Sequence, residues 1–548
     1  MKATATSGPC GGRARVSRCL VPLLLAVVFA SSSPAAPAPQ GATSPAAPKL
    51  NSGGDAQTLK LSLRECLEKA LAANPEVAVE ALNVDVNGRS VSLAREKFLP
   101  ALNLNFFNQD QTTLGTWGAE GTNYRYKYNY YVLNLSQKIP TGGTFSLAFT
   151  NSMTDTGRSY TVINPAYFSQ VQLNFSQPLL RGFGSTASRL EERRAGTQLE
   201  ISRAAYKTKL IETAFEVESA YWGLVDSLEY LRVMESTLRE SRELLARTRE
   251  AARIGAKSEI EVLSAETEVA RWEDSLVSAR LQAEKTEESL RRLMNLSPRS
   301  GPQDPAIEPT DRPEVDEKDI AYEEALAAAL QARPEMAAAA RSVEASALEV
   351  RGYRNQLLPE LNLDFSLWNP GQSGVKYIYE NDNPFTGQLI DIIRGSRMDA
   401  IRDVFNSWPN SWNIRLSLNV PLADIISRSA LARARLQNRQ EVLRLENRKL
   451  LISFEVNDAI RELGNKKQKT ASTRAYRVLL EKRVAAEAER YNFGLVGSEW
   501  LFNYQNQLAQ ARANEIRAAV DYRIARARLE KAMGTLLEAR NINIKDRP

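Results

Sequence analysis

Residues 67–84 read LEKALAANPEVAVEALNV and residues 326–343 read LAAALQARPEMAAAARSV, one pattern met twice at an offset of 259 positions. The alignment runs without a gap from Ser62 to Phe106 and holds 18 identities in 45 positions. It pairs Pro75 with Pro334, and Leu99, Pro100, Leu102, Asn103, Leu104 and Phe106 with Leu358, Pro359, Leu361, Asn362, Leu363 and Phe365. A second ungapped block, at offset 239, pairs Phe215, Glu216 and Val217 with Phe454, Glu455 and Val456, Gly255 with Gly494, and Met294 with Met533. Such self-similarity marks a duplicated unit. The expected organisation is a first repeat over 58–300, a linker over 301–319 and a second repeat over 320–538.

Each repeat has the same inner order. Pro75 and Pro334 suit the first turn of a helix, so two short helices are expected on either side of each. Leu99-Pro100 and Leu358-Pro359 then stop the helix. Strict alternation follows, Leu102, Leu104 and Phe106 against Asn103 and Asn105, and Leu361, Leu363, Phe365 and Leu367 against Asn362, Asp364 and Ser366. These are strands with one apolar and one polar face. Further alternating runs at 124–137, 143–151, 168–177 and 412–420 leave four or six barrel-type strands per chain.

Long helices come next. No proline lies between Pro178 and Pro298, or between Pro421 and the last residue. In the first of these stretches Leu210, Ala214, Val217, Tyr221, Leu224, Leu228 and Leu231 step by four and three, a coiled-coil seam. Gly255 with Lys257 and Ser258, and Gly494 with Gly497 and Ser498, mark where each helix reverses. A helix over 187–253 would be about 100 Å long, its return over 258–296 about 60 Å, and the helix over 76–97 about 33 Å. The short and medium helices, end to end, would match the long one.

Composition narrows the chemistry. The 548 residues include no histidine and three cysteines, Cys10, Cys19 and Cys66. A Ser/His/Asp triad, a Cys/His dyad and the common zinc sites therefore lack a member. No pairing of nucleophile and base is present, so no enzyme, cofactor or metal site is expected. Lys2, Arg13, Arg15 and Arg18 precede the apolar run Leu20–Ala30 and three serines, the order of a secretory signal peptide over 1–30. Without those four cations the balance is 67 basic against 65 acidic residues, from 71 and 65 in the full chain, which gives nucleic-acid binding no support. Residues 31–57, rich in Pro, Ala and Ser, read as a disordered tether.

The strands carry the aromatic residues: of 41 Phe, Trp and Tyr, 14 lie in residues 100–180 and 8 in 360–420. Tyr124, Tyr126, Tyr128 and Tyr130 fall on one strand face, and Trp408 and Trp412 flank a second strand, as expected where a barrel meets the lipid interface. The runs are long enough to cross a bilayer at a tilt, for which about 9–11 residues suffice. Too few strands per chain to close a wide barrel require several chains. The alternative is a secreted soluble coiled-coil scaffold or adhesin, which accounts for the helices and leaves the paired aromatic strands without a purpose.

The order short helix, Leu-Pro, strands, a Gln-Pro-Leu or Val-Pro-Leu exit (177–179, 420–422), long helix, the turn Tyr-Asn-Phe-Gly-Leu (491–495) and return helix resembles the outer membrane efflux protein family, the TolC-like channels. The resemblance covers about 62–537. It implies a mainly α mixed fold, with long antiparallel coiled-coil hairpins forming a periplasmic tunnel and strands contributing to a trimeric transmembrane β-barrel. It also implies a passive channel in the bacterial outer membrane, serving a tripartite efflux or type I secretion system. The partners it implies are two further copies of the chain, outer-membrane lipid, a periplasmic adaptor (membrane fusion protein) and an inner-membrane transporter. In the resembled family the hairpin tips meet the adaptor, which would place Gly255, Lys257, Ser258, Gly494, Leu495, Gly497 and Ser498 at that contact. Family members commonly carry acids six residues after the tip glycine; here Glu261 stands at that place in the first repeat and Trp500 in the second. The resemblance further implies a periplasmic gate in which the Glu261 carboxylate accepts a hydrogen bond from Tyr491.

Overall fold

The computed structural model describes residues 58–113, 124–157, 161–299, 304–316, 320–406, 411–422, 424–493 and 495–542. The expected leader and tether, and also Trp408 and Gly494, lie outside them. The first repeat begins with a short strand, β1 (Leu59–Leu61), and helix α1 (Leu63–Ala73). Ser62 caps α1 reciprocally: its side chain accepts from the Glu65 amide, and the Glu65 carboxylate accepts from the Ser62 amide at 2.8 Å. Asn74 ends α1 and caps α2 (Pro75–Glu96), which opens on its proline. Four strands follow: β2 (Ala101–Thr113), β3 (Tyr124–Lys138), β4 (Thr144–Asp155) and β5 (Ile163–Pro178). After the single turn α3 (Ser185–Ser188) comes α4 (Leu190–Arg253), whose 64 residues span about 96 Å, and its return α5 (Glu259–Leu293).

Within the expected linker, β6 (Ile307–Pro309) pairs in parallel with β1. The second repeat then supplies α6 (Tyr322–Ala332), α7 (Pro334–Gln356), β7 (Glu360–Tyr379), β8 (Leu389–Arg394), α8 (Arg397–Asn406) and β9 (Ser411–Asn419). It closes with α9 (Ile425–Asn492), α10 (Ser498–Met533) and α11 (Leu536–Ala539). The larger sheet runs β2-β3-β4-β5-β7, with β8 and β9 both antiparallel to β7. β8 faces the far part of β7, from Val375 to Tyr379, and β9 faces the near part, from Glu360 to Trp368. The two form one sixth strand interrupted by α8. This interruption is what alternation alone did not show, because residues 370–410 carry no period of two.

Helices lie in the same order as the strands they feed. α2 packs on α4, α4 on α7 and α10, and these on α9. The Asn74 side chain donates to the Leu293 carbonyl at 3.3 Å, so the start of α2 abuts the end of α5 and the expected composite strut is present. Of the coiled-coil seam, Leu210, Ala214, Val217, Tyr221 and Leu224 are buried in the main core with Cys66, Leu67 and Leu290. Burial pushes the Cys66 thiol up to about 12, so it stays protonated. At the same core Glu218, fully buried, is held by Arg540 at 2.7 Å, which also reaches Glu530 at 2.9 Å. That cluster ties the C-terminal turn to both long hairpins.

Candidate functional site

The register of the six strands sorts their side chains onto two unlike faces. Leu104 pairs with Leu133, Leu133 with Phe149 and Phe149 with Val171. Leu173 pairs with Leu367, and Leu367 with Trp412. Directly opposed residues share a face, so every strand contributes three or four consecutive outward positions to one apolar band. Leu102, Leu104, Leu416 and Leu418 belong to this band and are more than half exposed. The other face carries Asn103, Asn105, Asn134, Gln172 and Arg415 on the same strands.

This register corrects the reading of the tyrosines. Tyr130 pairs with Phe107, Tyr128 with Gln109, Tyr126 with Gln111 and Tyr124 with Thr113, so all four take the positions of Asn103 and Asn105, on the polar face. They are not aromatics of the apolar band, because they sit an even number of residues from Val132 and Asn134 and an odd number from Leu133. Tyr131 and Trp412 do lie on the apolar face, and Trp412 is 65% exposed there.

Helix α8 rests on the apolar side of the sheet, over the edge of the band farther from the long helices. A side chain at Gly371 would meet the Ala400 carbonyl, so glycine is required for this close approach. The Asn369 amide donates to the Val404 carbonyl at 2.6 Å, and Arg397 donates to Asn129 at 2.6 Å while its guanidinium stacks over Tyr131 and Tyr167. Phe405 stacks on Phe149. At the break in the sixth strand, side chains of β7 and β3 thus bond to α8 in place of a continuous partner strand.

At the opposite end the two helical hairpins turn. Gly255 ends α4 with φ of 76°, the left-handed region that favours glycine, and its amide bonds to the Ala252 carbonyl. Ser258 caps α5, Gly497 caps α10, and Leu495 is exposed. Ser498 is buried, so it does not belong to an exposed tip surface. Gly494 lies outside the described residues. Exposed apolar side chains gather at these tips: Ile254, Ile260, Phe493, Leu495 and Trp500.

The expected Glu261–Tyr491 hydrogen bond is absent. The Glu261 carboxylate pairs with Lys257 at 3.3 Å, and the Lys257 ammonium stands 4.1 Å from the centre of the Tyr491 ring. The Tyr491 hydroxyl instead faces the buried Thr248 hydroxyl at 3.4 Å. Glu261 and Tyr491 are therefore brought together through a cation that the family pattern does not place between them. The signal was present in the sequence, since Lys257 and Glu261 are four apart on the same turn of helix start and so can meet. Its reach to the aromatic face of the second hairpin was not.

A sheet apolar on one side and polar on the other, continued by long helical hairpins and given twice in one chain, defines a channel-tunnel class of protein. The family model for "Outer membrane efflux protein" matches residues 66–296 and 325–535, and the chain belongs to that family. Its place is accordingly the bacterial outer membrane, with the helices in the periplasm. The fold is similar to the Campylobacter jejuni CmeC outer membrane channel, at TM-score 0.62 and 14% identity over 89% of this chain and 91% of that one. It is similar as well to the Neisseria gonorrhoeae MtrE outer membrane channel in its open state, at TM-score 0.60 and 16% identity over 89% and 94%. CusC aligns at TM-score 0.61 and 14% identity over 89% and 95%. Among curated protein sequences no significant match is found.

Proposed function

We propose that three copies of this chain close into one exit duct, passive and open to the outside, through which a transporter in the inner membrane expels its substrate by way of a periplasmic adaptor. The observation that carries this reading is the pair of matched open flanks. The sheet ends on β2 at one side and β9 at the other, both with exposed apolar faces. The helices joined to them, α2 before β2 and α9 after β9, each expose a stripe at heptad spacing: Val79, Val86 and Leu93 on one, Leu436, Leu443 and Leu450 on the other. Unlike flanks that complete each other generate a closed ring, and a spanning sheet has to close. β9 runs towards the helices and β2 away from them, so β9 of one copy and β2 of the next meet antiparallel.

Six strands per copy give eighteen in a trimer. At a strand spacing of about 4.8 Å and a tilt of about 40°, such a barrel is about 36 Å across at the backbone. Its apolar band faces lipid and its polar face the lumen. The exposed apolar residues of the hairpin tips serve the adaptor. The bridge Glu261–Lys257–Tyr491 joins the two tips of one copy and holds the entrance narrow. Light scattering in detergent tests the assembly: three copies per particle with heat-modifiable migration is expected, and a monodisperse monomer would overturn it.

A further inference from the structure

The lumenal face described above is neither simply polar nor charged. Between Asn103 and Gln111 on β2, and over the described residues paired with them on β3, β4 and β5, that side carries no charged side chain. Charges of the same side lie outside this zone, Lys138, Glu360, Asp364 and Arg415 nearer the helices and Lys376 and Asp391 farther from them, and Arg125 and Asp110 bond to each other on the reverse side of the sheet. Within the uncharged zone four rings form a column. Phe107 and Tyr130 stack with centroids 5.3 Å apart, Tyr130 is 5.7 Å from Tyr128, and Tyr128 is 6.4 Å from Tyr126. Phe107 is 40% exposed, so the column is open to whatever fills the lumen.

Amides lie beside it on β2, where Gln109 donates to Gln111 at 2.8 Å and the two pair with Tyr128 and Tyr126. A further column of amides follows on β5, beyond β4 and nearer the helices. Gln170 donates to Gln172 at 2.9 Å, and Gln172 to Asn174 at 2.7 Å. Each primary amide has two donor hydrogens and two acceptor lone pairs, and these bonds use only part of that capacity. Flat apolar rings next to a row of neutral groups that both donate and accept fit one cargo chemistry well. Sugar rings present C–H faces that pack on aromatic rings and hydroxyl edges that pair with amides. A charged cargo would find no fixed counter-charge here, and a purely apolar one would bury the amides without partners, which costs free energy.

We propose that the lumenal face of β2 to β5 is a binding track for neutral oligosaccharide chains in transit, an inference that rests on the channel reading above. In the trimer the track is repeated three times around the wall. It engages the cargo weakly, ring by ring, so that a chain is held yet still slides outward.

The test is single-channel recording from the assembled protein in planar bilayers, with the linear glucan maltoheptaose as the probe. Concentration-dependent interruptions of the current are expected. The apparent dissociation constant should rise about 2- to 10-fold in Tyr128→Ala, the range that corresponds to one lost aromatic contact, and also in Gln172→Ala. Tyr128→Phe, which keeps the ring, should behave like the parent and shows that the sheet survives substitution there. Conducting channels that maltoheptaose never interrupts would overturn the track and leave the channel standing. The track also fails if Tyr128→Ala is interrupted as the parent is, or if ethidium, a planar cation, blocks the current and the glucan does not. Protein that inserts and never conducts would overturn the channel reading itself, and the track with it.

Discussion

The start of the second helix in each repeat is the same backbone held by different chemistry. Asn74 has φ −67° and ψ 123°, and Arg333, its counterpart 259 residues on, has φ −69° and ψ 124°. Asn74 closes the helix end itself, its side chain accepting from the amides of Glu76 at 2.8 Å and Val77 at 3.4 Å. Arg333 makes no such cap; its guanidinium bonds to Glu455 at 2.5 Å and to Glu335 at 3.2 Å. The shared proline that follows fixes the shape, and each repeat is free to find its own stabilising contact. The same freedom operates on a larger scale in the sheet, where the first repeat lays down four uninterrupted strands and the second one long strand and a broken partner.

The deepest difference between the repeats is the buried Glu218, whose counterpart at offset 239 is Asn457. Arg540→Ala leaves Glu218 buried without its main cation and should cost about 3–5 kcal/mol in urea unfolding. Asn457→Ala should cost far less, and equal losses would mean the two cores are interchangeable. Next comes the polarity of the sheet. Leu147→Arg, on the apolar face, should destabilise the assembled barrel by about 2–4 kcal/mol if the position is near the bilayer midplane, whereas Ala148→Arg, one residue away, should leave assembly intact. Heat-modifiable migration of the two variants checks this directly, and the reverse order would invert the assignment of faces.

The helix starts themselves come third. Arg333→Ala removes charged hydrogen bonds and should cost about 1.5–3 kcal/mol, Asn74→Ala about 1 kcal/mol. They should also differ in acid. Burial pushes the Glu335 carboxyl up, but its hydrogen bonds with Arg333 and its own backbone amide, together with the charges of Arg333 and Arg448, outweigh that and leave it below the usual glutamate value. A depressed carboxyl stabilises the fold fully above its ordinary pKa, near 4.3, and loses that contribution as the pH falls through the lowered value. The parent and Asn74→Ala should both show this loss below about pH 4, and Arg333→Ala should show less of it.

The smallest effect is expected at the entrance, where a cation over a ring contributes about 0.5–2 kcal/mol. Lys257→Ala and Tyr491→Leu should each raise conductance in planar bilayers, and Tyr491→Phe should not, since the ring and not the hydroxyl meets the cation. A large effect of Tyr491→Phe would place the hold on the hydroxyl, through Thr248 or Glu261, and not on the ring.

Much of the fold is legible in the order of residues. The proline phasing, the heptad stripe from Leu210 to Leu231 and the alternation after Pro100 each depend on neighbours within a turn or a strand, and all three stand in the structure as read. The departures are of another kind. The tyrosines of β3 read as lipid-facing because alternation shows that they share a face and not which face it is; parity against Leu133 across the pairing decides that. Residues 370–410 show no period of two, and that α8 rests on the sheet is set by its contacts with β7 and β5, which no local pattern records.

By itself the sequence determined that this chain is two copies of a helix–strand–hairpin unit, since local periodicity and backbone-restricting residues act over a few positions and need no partner. Only the tertiary structure decided which side of the sheet is apolar as a whole, where the sixth strand breaks, and that Lys257 stands between Glu261 and Tyr491. Those are facts of register and long-range approach, fixed when strands pair and helices pack, and a one-residue shift in register would reverse every one of the sheet's assignments.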